Sequence, residues 1–174
     1  MSSREAIAAE IPRLRRYARA LAGSAERADD LVQDTVERAL LKWPLWRSGS
    51  DLRAWLFAIM HNLFVDQMRA PQAGVQAGAQ FDDLHSEDPA PYVVQRATQD
   101  DRLALRDLER ALALLPLEQR EVLLLIGLED LSYAQAAAAL SVPIGTVMSR
   151  LARGRARLKS ILSGELSAIM KVVK

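Results

Sequence analysis

Apolar residues recur along this chain at intervals of three and four, and neither half shows a clear run of alternating positions. That periodicity belongs to amphipathic helices rather than half-buried strands. Ile7, Ile11, Leu14, Ala18 and Leu21 predict a helix over 4–22, with Pro12 awkward in its interior and better suited to a helix start. Gly23 and Ser24 break the chain, and Ser24 suits an N-cap. The next helix, over 25–43, turns Ala28, Leu31, Val32, Thr35 and Ala39 inward. Asp30, Gln33, Asp34 and Glu37 fall at i, i+3, i+4 and i+7 and share its opposite side. After a loop containing Trp43 and Trp46, a third helix over 51–69 carries Leu52, Trp55, Leu56, Ile59, Leu63 and Phe64 as its core stripe. Ser50 is its expected cap, Asp51 sits at its positive end, and Pro71 ends it.

The period is lost over 72–91, among Pro71, Gly74, Gly78, Pro89 and Pro91. A stretch this long without periodicity reads better as a tether between two small domains than as a loop inside one. Periodicity resumes with Leu105, Leu108, Leu112 and Leu115 over 101–115, stopped by Pro116. A short apolar helix follows over 118–126, with Gly127 as its expected C′ residue. Ser132 and Gln135 form a capping box for a helix ending at Leu140, whose run Ala136 to Ala139 permits close approach of another helix. Ser141, Val142 and Pro143 make a tight turn into a last strong helix over 144–161, with Ile144, Val147, Leu151 and Leu158 as its buried stripe. Two short helices across a tight turn are what a helix-turn-helix requires.

Composition narrows the function. The 174 residues suffice for one ordinary domain or two small ones, and the absence of cysteine excludes disulfides and cysteine-ligated metals. No apolar run, whether 54–60 or 122–126, is long enough to span a bilayer, and the N-terminus lacks a secretory h-region, so the expectation is a cytoplasmic chain without membrane insertion. The net charge of +1 hides segments of +2 over 1–70, −5 over 71–101 and +4 over 102–174. Residues 143–159 hold five basic side chains and no acid. Thr146, Ser149, Arg150, Arg153 and Arg157 form the exposed stripe of the last helix, where cations neutralise phosphates and the more N-terminal residues reach base edges. His61 has no second histidine, cysteine or carboxylate at ligand spacing, and no triad converges, so no catalytic residue, metal or cofactor is expected. On spacing alone, the Asp30 to Glu37 stripe suits either solvent or a basic protein partner.

Two patterns in order resemble a known family. Asp29-Asp30-Leu31-Val32-Gln33-Asp34-Thr35 and Trp55-Leu56-Phe57-Ala58-Ile59-Met60-His61-Asn62 resemble region 2 of bacterial sigma factors. Leu114-Leu115-Pro116 through Glu121-Val122, then Leu131-Ser132-Tyr133-Ala134-Gln135-Ala136-Ala137, then Pro143 through Leu151, resemble region 4. With no room for other full regions, the chain is similar to the extracytoplasmic function (group IV) class of the sigma-70 family.

The resemblance implies an all-α fold of two small domains, a region 2 helical bundle over 1–70 and a region 4 helix-turn-helix over 101–162. An acidic flexible linker over 71–100 joins them, as in relatives where this segment threads the RNA exit path, and a tail over 163–174 has no assigned role. It implies core RNA polymerase as partner, through its β′ clamp and β flap, with Asp30, Gln33, Asp34 and Glu37 docking on the clamp. It implies −10 melting and capture of a flipped base by Trp46, Arg47, Ser48, Asp51, His61 and Asn62. It implies −35 reading by Thr146, Ser149, Arg150, Arg153 and Arg157. An anti-sigma factor and a role in stress response are further expectations, and enzymatic activity is not. Val36 stands where the family usually has Phe, and Met148 and Ala152 where some relatives carry Arg and an aromatic. A stand-alone helix-turn-helix regulator would explain the C-terminal half but leaves Trp43, Trp46 and the acidic stripe without a purpose.

Overall fold

The computed structural model describes residues 2–70 and 99–172, with side chains through 164. The acidic linker expected over 71–100 therefore lies outside the described residues, except for 99 and 100, which already belong to a helix. Among the described residues the fold is all-α, and no helix is long and apolar enough to cross a membrane.

The first unit contains α1 (Ser3–Ala22), α2 (Ala25–Lys42) and α3 (Leu52–Arg69). Helix α1 starts at a capping box in which the Ser2 hydroxyl accepts from the Glu5 amide and Glu5 accepts from the Ser2 amide. This overrides Pro12, which is exposed inside the helix rather than at its start. Gly23 ends α1 at φ 69°, a left-handed conformation that favours glycine. Ser24 then caps α2, and the expected inward residues Ala28, Leu31, Val32, Thr35 and Ala39 are all buried. Asp51, not Ser50, caps α3: its Oδ1 accepts from the Ala54 amide at 3.0 Å, while Ser50 Oγ donates back to the Arg47 carbonyl.

The second unit comprises α4 (Gln99–Ala113), α5 (Leu117–Leu123), α6 (Tyr133–Leu140) and α7 (Ile144–Val172). Helix α5 does not stop at Gly127. It widens into a π-turn over Leu124–Leu128, and the left-handed residue beyond it is Asp130, at φ 53°. The capping box of Ser132 and Gln135 is present, and Ser141 closes α6 at φ 55°. Pro143 accepts the first helical bond of α7, from the Val147 amide. Val147 and Leu151 are buried as expected, whereas Ile144 is exposed beside the turn. The last helix runs on to Val172, well beyond 161.

One hydrophobic core runs through both units, from Ile7, Leu14 and Tyr17 through Leu31, Leu56 and Met60 to Val122, Leu125, Ala136 and Leu151. Helix α6 packs on α3, so the alanine run brings a helix of one unit close to a helix of the other. Helix α3 is thus packed against α2 and α6, and Phe57 and Met60, outside its expected stripe, are buried, Phe57 edge-on to Tyr17 of α1, while Leu52, Trp55 and Leu63 are half-buried.

Helices α5 and α7 meet closely at Gly154, where an added Cβ would lie 3.1 Å from Leu123 Cδ1 and 3.3 Å from Gln119 Cβ. Gly154→Val is expected to lower stability by about 1–3 kcal/mol through overpacking. Chemical denaturation would show a lower midpoint with little change in slope.

Candidate nucleic-acid interface

In α7 the expected basic stripe divides. Arg153 is exposed and folds along its own helix, donating to the Ser149 carbonyl at 3.3 Å and the Ser149 hydroxyl at 3.2 Å. Ser149 Oγ in turn donates to the Thr146 carbonyl. Arg157 is exposed one turn further on. Arg150 is half-buried and 3.6 Å from the Glu118 carboxylate, so it ties α7 to α5. Of the five expected duplex-reading residues, Arg153, Arg157 and Ser149 are exposed, the first and last bonded only within α7, Thr146 is half-buried, and Arg150 meets Glu118.

The tryptophans of the first unit form one cluster. Trp43, in the 3₁₀ turn Trp43–Leu45, stacks on Trp46 with centroids 4.7 Å apart and meets Trp55 edge-on at 6.2 Å. Trp46 is thus half-buried as the floor of the loop, while Arg47 and Ser48 are exposed above it. Asp51 is held from two sides, by the cap to Ala54 and by the side-chain amide of Gln135 in α6. Partial burial raises its pKa, but the Ala54 amide, the Gln135 amide and Arg53 outweigh burial and hold the carboxyl below its usual value. His61, locally isolated in the sequence, meets Glu121 of α5, with Nδ1 2.6 Å from Oε1. Asn62 is exposed beside it. Among the described residues no cluster of His, Cys, Asp or Glu is arranged to hold a metal.

The acidic stripe lies on the outer side of α2. Asp30, Gln33, Asp34 and Glu37 are all exposed, Gln33 donates to Glu37, and Gln67 of α3 donates to Asp34. A shallow depression lined by Arg27, Asp30, Gln33, Asp34 and Gln67 marks this surface.

Local spacing misses a set of charged residues that only the assembled fold brings together. Glu129 is fully buried between Arg16, which grips both its carboxylate oxygens at 2.9 and 3.1 Å, and Arg13 at 3.9 Å. Arg53 donates to the Glu129 carbonyl. Arg120 donates to the carbonyls of Leu112, Ala113 and Leu115 and, across to α1, to that of Leu21. More than a hundred residues separate Glu129 from Arg16, so no periodicity could have paired them.

A tryptophan cluster beside a loop, an exposed acidic helix and a basic helix behind a tight turn make this a two-unit all-α protein with a helix-turn-helix. The family described as "Sigma2 domain of PhyR" matches residues 7–61, and "Sigma-70, region 4" matches residues 105–158. The chain is 38% identical over 162 residues to the ECF RNA polymerase sigma factor EcfG of Rhodopseudomonas palustris, covering 92% of this chain and 85% of the relative. Its fold matches the sigma factor RpoE of Bartonella quintana, solved in complex with the anti-sigma factor NepR, at a TM-score of 0.74 and 35% identity, over 92% of this chain and 96% of that one. It also matches the anti-anti-sigma factor PhyR of the same organism at a TM-score of 0.59 and 19% identity, over 91% of this chain and 50% of that one, which is a likeness of fold alone. The chain belongs to the ECF RNA polymerase sigma factor family. It is a sigma factor, the class of protein that directs RNA polymerase to promoters.

Proposed function

We propose that this chain, a sigma factor of the group IV class, divides its work between the two units. The first docks on the β′ clamp of core polymerase through Asp30, Gln33, Asp34 and Glu37. It melts the −10 element with the loop from Trp46 to Asp51 and the His61 and Asn62 side of α3. The second reads the −35 duplex with Arg153, Arg157, Ser149 and Thr146, while Arg150 steadies the recognition helix, and it reaches the β flap. The protein acts in the cytoplasm as part of a stress response. The observation that carries this reading is the exposed acidic stripe in the same chain as a basic recognition helix, because a stand-alone regulator has no use for the stripe.

An anti-sigma factor of the kind bound by the Bartonella relative is the proposed inhibitor, supported by the likeness to that complexed sigma factor along nearly the whole chain. A second reading rests on the match of residues 7–61 to the Sigma2 domain of PhyR: a sigma mimic that captures the anti-sigma factor without engaging polymerase. Run-off transcription separates the readings. Promoter-specific transcripts that require both core polymerase and this chain support the first. Anti-sigma capture with no affinity for core supports the second and overturns the first.

The two arginines of the recognition helix are expected to differ. Arg153→Ala should cost about 1–3 kcal/mol of −35 affinity and relax base preference at one position. Arg157→Ala should weaken all duplexes evenly and flatten the salt dependence by one phosphate contact. Electrophoretic titration of point-substituted −35 duplexes measures both.

A further inference from the structure

The buried carboxylate between the units has a chemistry that interdomain adhesion does not require. Glu129 sits just beyond the π-turn, where Arg13 and Arg16 of α1 and Arg53 of α3 converge. Arg16 holds it in a bidentate fork, the geometry that suits carboxylate and phosphate alike. Burial raises the Glu129 carboxyl above its ordinary pKa, and Arg16, Arg13 and Arg53 only partly offset this. Desolvating this carboxylate therefore costs the closed protein free energy. Arg53 Nε is buried without a hydrogen-bond partner, and the Glu10 carboxylate, likewise without one at Oε2, lies 3.9 Å from it and 3.8 Å from Arg13, too far to occupy their donors. Arg13 and Arg16 keep 42% and 50% of their side chains exposed, so the cluster opens to solvent at its rim.

Position adds to the chemistry. Arg53 lies two residues after Asp51, in the first turn of α3, which follows the loop proposed to meet the melted strand. Two of the residues proposed to meet the melted strand are likewise held by the second unit, Asp51 by Gln135 and His61 by Glu121. Elements centred at −10 and −35 are about 25 base pairs apart, roughly 85 Å at 3.4 Å per pair. Two units in direct contact cannot reach both, so promoter binding must part them and withdraw Glu129 from the arginines.

We propose that Arg13, Arg16 and Arg53 form a binding site for a phosphodiester of the melted promoter strand, and that Glu129 occupies it as an internal phosphate mimic while the units are closed. The site rests on the sigma-factor reading above and adds to it a strand-backbone contact on α1. Binding of the single strand and closure of the chain are then mutually exclusive.

The test uses the full chain, free and bound to core polymerase, with a fluorescent twelve-nucleotide single strand carrying a −10 sequence as probe. Glu129→Gln in the free chain should raise strand affinity at least threefold over wild type. In the polymerase-bound chain, Arg13→Ala should lower strand affinity and reduce the slope of log affinity against log salt by about 0.7, the release expected for one phosphate on a single strand. Arg13→Ala and Arg53→Ala together should reduce it by about twice that, with affinity for core unchanged. Arg13 is half-exposed, so its single variant keeps the test decisive where the double variant does not fold. Unchanged salt slopes in variants that still bind core would overturn the proposal and leave the cluster as interdomain adhesion only. A wild-type chain with no affinity for core would overturn the sigma reading instead, and the free-chain comparison of Glu129→Gln with wild type would then decide the phosphate site alone.

Discussion

Asp34→Arg is expected to abolish binding to core polymerase while leaving the fold intact. Asp34 is exposed at the centre of the α2 stripe, and its one described hydrogen bond, from Gln67 at 3.3 Å, is peripheral to the core. The inward side of α2, from Ala28 through Leu31 and Thr35 to Ala39, remains untouched. Reversing one charge in an acidic patch that meets a basic partner replaces attraction with repulsion. Like-charge contact of this kind costs several kcal/mol, so affinity should fall by at least about a hundredfold. Far-ultraviolet circular dichroism and thermal melting should match wild type within about 0.5 kcal/mol, as for other surface changes. A core-pulldown titration reads the loss. Retained core affinity in a folded Asp34→Arg chain would move the polymerase contact off this stripe. Glu37→Arg, one turn away, should show a smaller loss in the same assay.

Arg120→Ala is expected to be the most destabilising single change at the junction of the units. Its guanidinium gathers the last carbonyls of α4, those of Leu112 and Ala113, together with Leu115 before α5, and reaches the Leu21 carbonyl at the end of α1. A cation placed among helix C-terminal carbonyls also complements their negative ends. Burial lowers the Arg120 pKa, and the neighbouring Glu121 carboxylate works against that shift. Removing the side chain leaves several partly buried acceptors unpaired at once. A loss of about 3 kcal/mol is expected, equivalent to a melting temperature lower by roughly 6–12 °C for a chain of this length. Arg120→Lys should recover only part of this, because one ammonium cannot reach carbonyls in four directions. A melt of Arg120→Ala within about 2 °C of wild type would show that water replaces the guanidinium at these carbonyls.

The helices were legible because each carries its own reason to form. Ser24, Ser132 with Gln135, and the inward series of α2 and α7 depend on neighbours within a few residues, so spacing exposes them. Where the local reading slipped, a competing local interaction or a distant partner had prevailed. The Ser2–Glu5 box started α1 ahead of Pro12, and Asp51 rather than Ser50 caps α3, one carboxylate oxygen accepting from the Ala54 amide and the other from Gln135. Gly127 was passed over because α5 widens into a π-turn that carries the left-handed residue on to Asp130.

The amino-acid sequence by itself determined the helices, the acidic and basic stripes and the helix-turn-helix, since each is written in residues a few turns apart, and the family resemblance, which lies in the order of such local motifs along the chain. The tertiary structure alone decided that the two units share one core. It decided that Trp43, Trp46 and Trp55 cluster together, that His61 meets Glu121, and that Glu129 lies among three arginines. Those pairings join residues that periodicity cannot relate, because a helix constrains only its own turns, while burial of apolar surface between helices determines which distant charges share a desolvated site.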